Sequence, residues 1–200
     1  MSTEPSTEPT ATRTVDGALV PIPGDWIIDP GHTSLAFETR HFVVTRMRGR
    51  FRHGTGTIHI GETPEDSTVQ VTIDAGSIDT THPMADEHLR SDMFLDAETF
   101  PTITFQSTGV RRGSSGHWDV TGDLTIRDIT KQVTLDTEFN GAVPAGKVAR
   151  AKLGFTATTE IDRRDFGISR NFPLPTGEGF IVGNEVSITL DVEADLPQDA

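Results

Sequence analysis

The chain has no cysteine in its 200 residues. Disulfide staples, thiolate metal sites and a cysteine nucleophile are therefore excluded, and stability has to come from an apolar core. Basic residues are outnumbered as well, 17 Lys and Arg against 30 Asp and Glu, for a formal charge of −13. Such a surface favours solubility and disfavours nucleic acid or an anionic membrane as the main partner. No segment approaches the roughly 18 consecutive apolar residues that a membrane-spanning helix needs. The start of the chain lacks the apolar core of an export signal, so a cytoplasmic location is the expectation. There is no Gly-x-Ser-x-Gly elbow, no Gly-x-Gly-x-x-Gly and no Gly-Lys-Ser phosphate loop. Neither catalysis nor a cofactor is expected.

What the sequence does contain is alternation. Residues 118–127, Trp-Asp-Val-Thr-Gly-Asp-Leu-Thr-Ile-Arg, send Trp118, Val120, Leu124 and Ile126 to one face and Asp119, Thr121, Asp123, Thr125 and Arg127 to the other. Similar stretches occupy Trp26–Asp29, Ser34–Val44, Gly49–Ile60, Ser67–Asp74, Thr102–Val110, Gln132–Phe139, Ala149–Ile161 and Glu185–Ala194. The parity of the third stretch breaks between Phe51 and Ile58, where Gly54 and Gly56 predict a bulge or sharp bend. Pro83 and the early acids of residues 81–90 predict one helix of about two turns. Residues 113–116 and 140–146 are turn material, and the proline- and glycine-punctuated segment 162–183 predicts a long loop, a lid or a plug. Residues 1–20 read as a disordered polar tail before one domain spanning 21–200. The expected fold is an all-β antiparallel barrel of about eight strands with one short helix and a long loop after Ile161.

Placing the charged residues outside assigns the inner face. Leu35, Phe37, Thr39 and His41 point inward in their strand, as do Val71 and Ile73, Ile103 and Phe105, Leu135, Phe155, and Ile188 and Leu190 in theirs. Such a lining either packs solid or surrounds an apolar ligand, and alternation leaves both open.

A set of ordered motifs carries further information. Residues 26–37, Trp-Ile-Ile-Asp-Pro-Gly-His-Thr-Ser-Leu-Ala-Phe, are followed by Arg40-His41, Arg48-Gly49-Arg50-Phe51, residues 88–96 (His-Leu-Arg-Ser-Asp-Met-Phe-Leu-Asp), residues 100–105, residues 122–130, Asp162-Arg163-Arg164-Asp165-Phe166-Gly167 and Gly183-Asn184-Glu185. Together, over Trp26 to about Val192, they resemble the YceI-like family of polyisoprenoid-binding, lipocalin-like bacterial proteins. The resemblance implies a tubular interior holding a long polyisoprenoid or similar amphiphilic lipid, for sequestration or transport. The tail would contact Leu35, Phe37, Thr39, Val71, Ile73, Ile103, Phe105, Val120, Leu124, Ile126, Leu135, Phe155, Ile188 and Leu190. His41 and Arg163 are the candidates for a polar head group, a guanidinium fork being suited to pyrophosphate or carboxylate oxygens. The densest metal-ligand cluster, His82, Asp86, Glu87 and His88, lacks a helical i, i+4 histidine pair and is read as solvated, so no metal is expected. Similar proteins dimerise, which makes a homodimer an expectation here. The rival from another class is a packed barrel that presents its loops to a protein partner. A lipid-modifying enzyme ranks below both.

Overall fold

A computed structural model of the chain describes residues 10–146, 150–174 and 180–197. Strands β1 (Thr12–Val15) and β2 (Ala18–Pro21) form a separate hairpin. The main sheet contains β3 (Gly24–Ile28), β4 (Ser34–His41), β5 (Thr45–Phe51), β6 (Gly54–Ile60), β7 (Thr68–Asp74), β8 (Ile78–Asp79), β9 (Thr102–Arg112), β10 (Trp118–Ile126), β11 (Ile129–Val143), β12 (Lys152–Asp162) and β13 (Val182–Asp195). Helix α1 (Pro83–Arg90) lies between β8 and β9.

Eight strands close on themselves in the order β12–β11–β10–β9–β7–β6–β3–β13, every pair antiparallel, with β13 pairing back onto β12 from Glu185↔Asp162 to Asp195↔Lys152. A second tier lengthens this barrel. Both β3 and β4 pair with β13, so they form one long stave interrupted at Asp29–Thr33. A parallel interruption separates β5 from β6 at Arg52–His53. There the Arg52 N–H donates to the Ser77 carbonyl and the Asp74 N–H to the His53 carbonyl, so pairing with the β7–β8 stretch continues through the bend. The predicted break between Phe51 and Ile58 is this bend.

Strand β10 shows why the alternating sequence yields this arrangement: Trp118, Val120, Gly122, Leu124 and Ile126 are buried and the residues between them are not. The side-chain period of two puts the apolar set on the concave face of a closed sheet. Two packed clusters result. One, at the end where β3 begins, centres on Trp26, Leu153 and Ala194; the other, beside α1, includes Phe94, Leu95, Phe166 and Ile168.

Two sequence expectations need correction. Residues 12–20 are not a disordered tail, because the β1–β2 hairpin is tied down by Val20 (2% exposed) and Ala11, by Arg13 Nη2 donating to the Gly61 carbonyl (2.7 Å), and by Arg112 Nη2 donating to the Val15 carbonyl (3.0 Å). Its turn is Asp16-Gly17, both at positive φ, and Asp-Gly between two short apolar-containing runs is a strong hairpin signal. Residues 1–9 lie outside the described residues. The stretch Ser34–Val44 is also not one strand: it ends at His41, turns at Phe42–Val44 and returns as β5.

Candidate functional site

The barrel interior is hollow. Between the two packed clusters runs a cavity of about 290 Å³, against the ~10–15 Å³ that one water needs. All fourteen residues expected to meet a lipid tail line it. Each strand contributes through its inward parity: Leu35, Phe37 and Thr39 from β4, Ile103 and Phe105 from β9, Leu124 and Ile126 from β10, Ile188 and Leu190 from β13. Where a tube must be wide, side chains are missing. A Cβ on Gly49 would lie 2.3 Å from Phe37 Cζ, and one on Gly122 2.5 Å from Phe105 Cζ, so these glycines give the two rings their places.

The described lining holds no carboxylate and no histidine, and its charged side chains are two arginines at opposite ends. Arg13 reaches in from the hairpin and has a carboxylate partner, Glu62, at 3.7 Å. Arg163 sits at the α1 end and is 5% exposed. Its Nε donates to the Gly183 carbonyl (2.9 Å), its Nη1 to the carbonyls of Ile168 and Arg170 (3.1 Å for the latter), and its Nη2 to Asn184 Oδ1 (3.0 Å). These acceptors are neutral, and no carboxylate among the described residues forms an ion pair with it. Burial pulls the Arg163 guanidinium below its ordinary range, against the opposing pull of the Asp162 carboxylate. Five N–H groups meet four acceptors, which leaves one donor uncommitted.

The loop chemistry around Arg163 explains its position. Register between β4 and β13 shifts between Val182 and Val186, and this bulge turns the Gly183 carbonyl toward Arg163 while Thr39 Oγ1 donates to the Glu185 carbonyl at 2.7 Å. Asp162 caps the following 3-10 turn by accepting from the Arg164 backbone N–H and side chain, contacts that hold its carboxyl at about 2. Arg164 is thereby engaged with Asp162, and Phe166 (1% exposed) and Ile168 anchor the turn in the core. The described part of the predicted lid or plug is this anchored turn at the Arg163 end of the cavity; residues 175–179 lie outside the described residues.

His41 is not where parity put it. The strand ends there, and its ring turns edge-on to Phe42 (centroids 4.6 Å apart), outside the lining. The His82–His88 cluster is dispersed: Asp86 is buried and accepts from the Thr80 N–H and hydroxyl, and the His88 ring packs against Phe172. Asp29, His32 and Glu193 do converge at the interruption of the β3–β4 stave. There Lys152 Nζ stands 2.7 Å from Glu193, 2.6 Å from Asp195 and 3.8 Å from Asp29, so an ammonium already supplies the positive charge. Lining residues that alternation did not reveal come from outside the predicted strands: Val20 and Pro21 from the hairpin, Leu89 from α1, and Phe94 and Leu95 from the turn after it.

Residues 26–194 match the model of the YceI-like domain. The chain belongs to the YceI-like family. It is 38% identical over 149 residues to a UPF0312 protein of Vibrio parahaemolyticus, covering 72% of this chain and 77% of that one. A UPF0312 protein of Staphylococcus aureus is 31% identical over 176 residues, 87% of this chain and 99% of the other. Among solved structures, a YceI protein of Campylobacter jejuni superposes with a TM-score of 0.67 at 26% identity, covering 80% of this chain and 90% of that one. BcnA of Burkholderia cenocepacia gives 0.70 at 22% identity, with 83% and 98% covered. A polyisoprenoid-binding domain from Saccharophagus degradans gives 0.63 at 13% identity, with 88% and 100% covered. These last two likenesses are of fold. The hairpin β1–β2 precedes the residues that the family model matches.

Proposed function

We propose that this YceI-like barrel binds an amphiphilic lipid with a long apolar tail, a polyisoprenoid or polyprenyl phosphate, and sequesters or carries it. The carrying observation is the cavity itself, apolar along its walls and cationic at its two ends. A branched hydrocarbon tail gains about 0.8 kcal/mol per buried methylene-sized group on leaving water. A phosphate or pyrophosphate head placed at the α1 end would take the uncommitted N–H of Arg163 and offset its buried charge. Val20 and Pro21 close the far end, so affinity should rise with tail length and then stop rising once the tail reaches them. The name of the Saccharophagus structure, a polyisoprenoid-binding domain, supports the same ligand class. The described walls offer no carboxylate, histidine or paired nucleophile, which supports a site that holds rather than transforms. The rival module with a filled barrel fits the open interior less well.

The test is a titration of delipidated protein with polyprenyl phosphates of increasing length and with the matching alcohols, read by melting temperature. The expected result is stabilisation that grows with length to a plateau and is larger for the phosphate. Absence of any shift across the series would overturn the proposal.

A further inference from the structure

The turn between β4 and β5 violates two local rules at once. Phe42 (φ +52°) and Val43 (φ +63°) both occupy the left-handed region, which Asn and Gly fill at low cost and a β-branched residue does not. Its three residues are also apolar and turned to solvent, Phe42 at 39%, Val43 at 61% and Val44 at 79% exposure. Phe180 (54%) and Phe172 (41%) flank it, since the Phe42 N–H donates to the Ile181 carbonyl and the Ile181 N–H to the Phe172 carbonyl. The Phe42 ring meets His41 and the Phe172 ring meets His88, yet among the described residues the apolar faces of Val43 and Val44 stay open, and strain with exposed apolar area points to something outside the chain.

Charge indicates what that is. From residue 39 to residue 61 there is no Asp or Glu but there are five arginines: Arg40, Arg46, Arg48, Arg50 and Arg52. Glu38 pairs with Arg46 and Arg48, and Asp79 with Arg50 and Arg52, while Arg40 beside the tip forms no ion pair among the described residues. An apolar tip with arginines on its flanks suits the boundary between lipid tails and lipid phosphates. Two copies meeting tip to tip would bring like charges together, which disfavours self-association. The net charge of −13 does not forbid the contact but orients it, because this hairpin is the face an anionic surface attracts. The tip is also at the Arg163 end of the cavity: Val182, opposite His41 in the sheet, lines the cavity, and the next carbonyl, of Gly183, accepts from Arg163.

We propose that the Phe42-Val43-Val44 turn is a bilayer-docking tip that seats the Arg163 end of the barrel on an anionic membrane surface. The purpose of such docking, lipid uptake and release, rests on the carrier reading above, whereas the docking itself is measured separately. The experiment is flotation of the full chain with phosphatidylcholine–phosphatidylglycerol vesicles. The wild type should float, less so at high salt, and the Val43→Asp/Val44→Asp variant should lose at least about tenfold in partitioning. Val43→Asn guards against misfolding as an explanation: Asn accepts the left-handed conformation, so the melting temperature should hold or rise while flotation falls. Stripped of vesicles, all variants should still take polyprenyl phosphate from detergent micelles. Failure of the wild type to float, or flotation by the double Asp variant equal to wild type, overturns the proposal, as does a concentration-dependent dimer abolished by the same substitutions. Flotation without micelle uptake would retain the docking tip and overturn the carrier reading instead.

Discussion

Two leucine truncations separate a hollow barrel from a filled one. Leu153 is 2% exposed and packs in the cluster around Trp26, Ile58 and Ala194, with atoms on every side. Leu190 is half-buried and borders the cavity, so part of its surface already lacks neighbours. Leu153→Ala removes packed methyl groups and leaves a new void, which costs about 3–5 kcal/mol. Leu190→Ala enlarges a void that exists already and forfeits only part of the ~1.5–3 kcal/mol that full leucine burial is worth, or roughly 1 kcal/mol. For a chain of this size, each kcal/mol moves the melting temperature by about 2–4 °C. Leu153→Ala should therefore melt about 10 °C below wild type and Leu190→Ala about 3 °C below, in thermal melts of delipidated protein followed by circular dichroism. With saturating ligand the order of sensitivity reverses for binding: Leu190→Ala loses part of the ligand-induced stabilisation and Leu153→Ala keeps it. Equal losses from the two truncations in delipidated protein would mean that the interior is close-packed in solution, and the reasoning about the cavity would be refuted.

Other perturbations follow from the same geometry. Gly49→Ala drives the Phe37 ring into the tube, and we expect a melting temperature within about 3 °C of wild type but several-fold weaker binding of long tails by titration. Arg163→Met strips donors from the carbonyls of Gly183, Ile168 and Arg170 and from Asn184, at roughly 3–5 kcal/mol, and should abolish any preference for polyprenyl phosphate over the alcohol. Arg163→Lys should keep that preference with part of the stability loss, so a phosphate preference surviving in the Met variant would remove Arg163 from head-group recognition. Asp162 is held at about 2, so its contribution to stability is complete above the ordinary carboxylate range and is lost as pH falls through its folded value. The melting-temperature gap between wild type and Asp162→Asn should be constant above about pH 5, narrow on acidification and close only below about pH 2; a gap that widens on acidification would contradict the assignment. Deleting residues 1–21 removes Val20 and Pro21 from the end of the tube, and the plateau in tail length should move to longer chains.

The strands and the lining were legible because both follow from a period of two. Once Glu38 and Arg40 are placed outside, Leu35, Phe37 and Thr39 have nowhere to go but inward, and the same logic assigned Val120, Leu124 and Ile126 correctly. Parity fails where strands end or chain turns irregular. His41 lies one residue before a left-handed turn that takes its ring out of the lining, and nothing in alternation marks where a strand stops. Phe94, Leu95 and Ile168 enter the core from segments without a period, so burial there depends on tertiary contacts. The hairpin was concealed by the Ser, Thr, Pro and Glu composition before it, although Asp16-Gly17 announced it. Arg163 was visible as a residue able to hold an anion. Its neutral acceptors required the bulge at Gly183 to be seen.

The central claim is that the tube carries a lipid, and the most direct measurement is native mass spectrometry of the purified protein, with organic extraction of whatever copurifies. The account predicts a discrete adduct spaced by isoprene units, or binding of added polyprenyl phosphate at one molecule per chain, lost on extraction and restored on addition. Protein that flies bare, takes up no polyprenyl species and melts at the same temperature with and without them would contradict it.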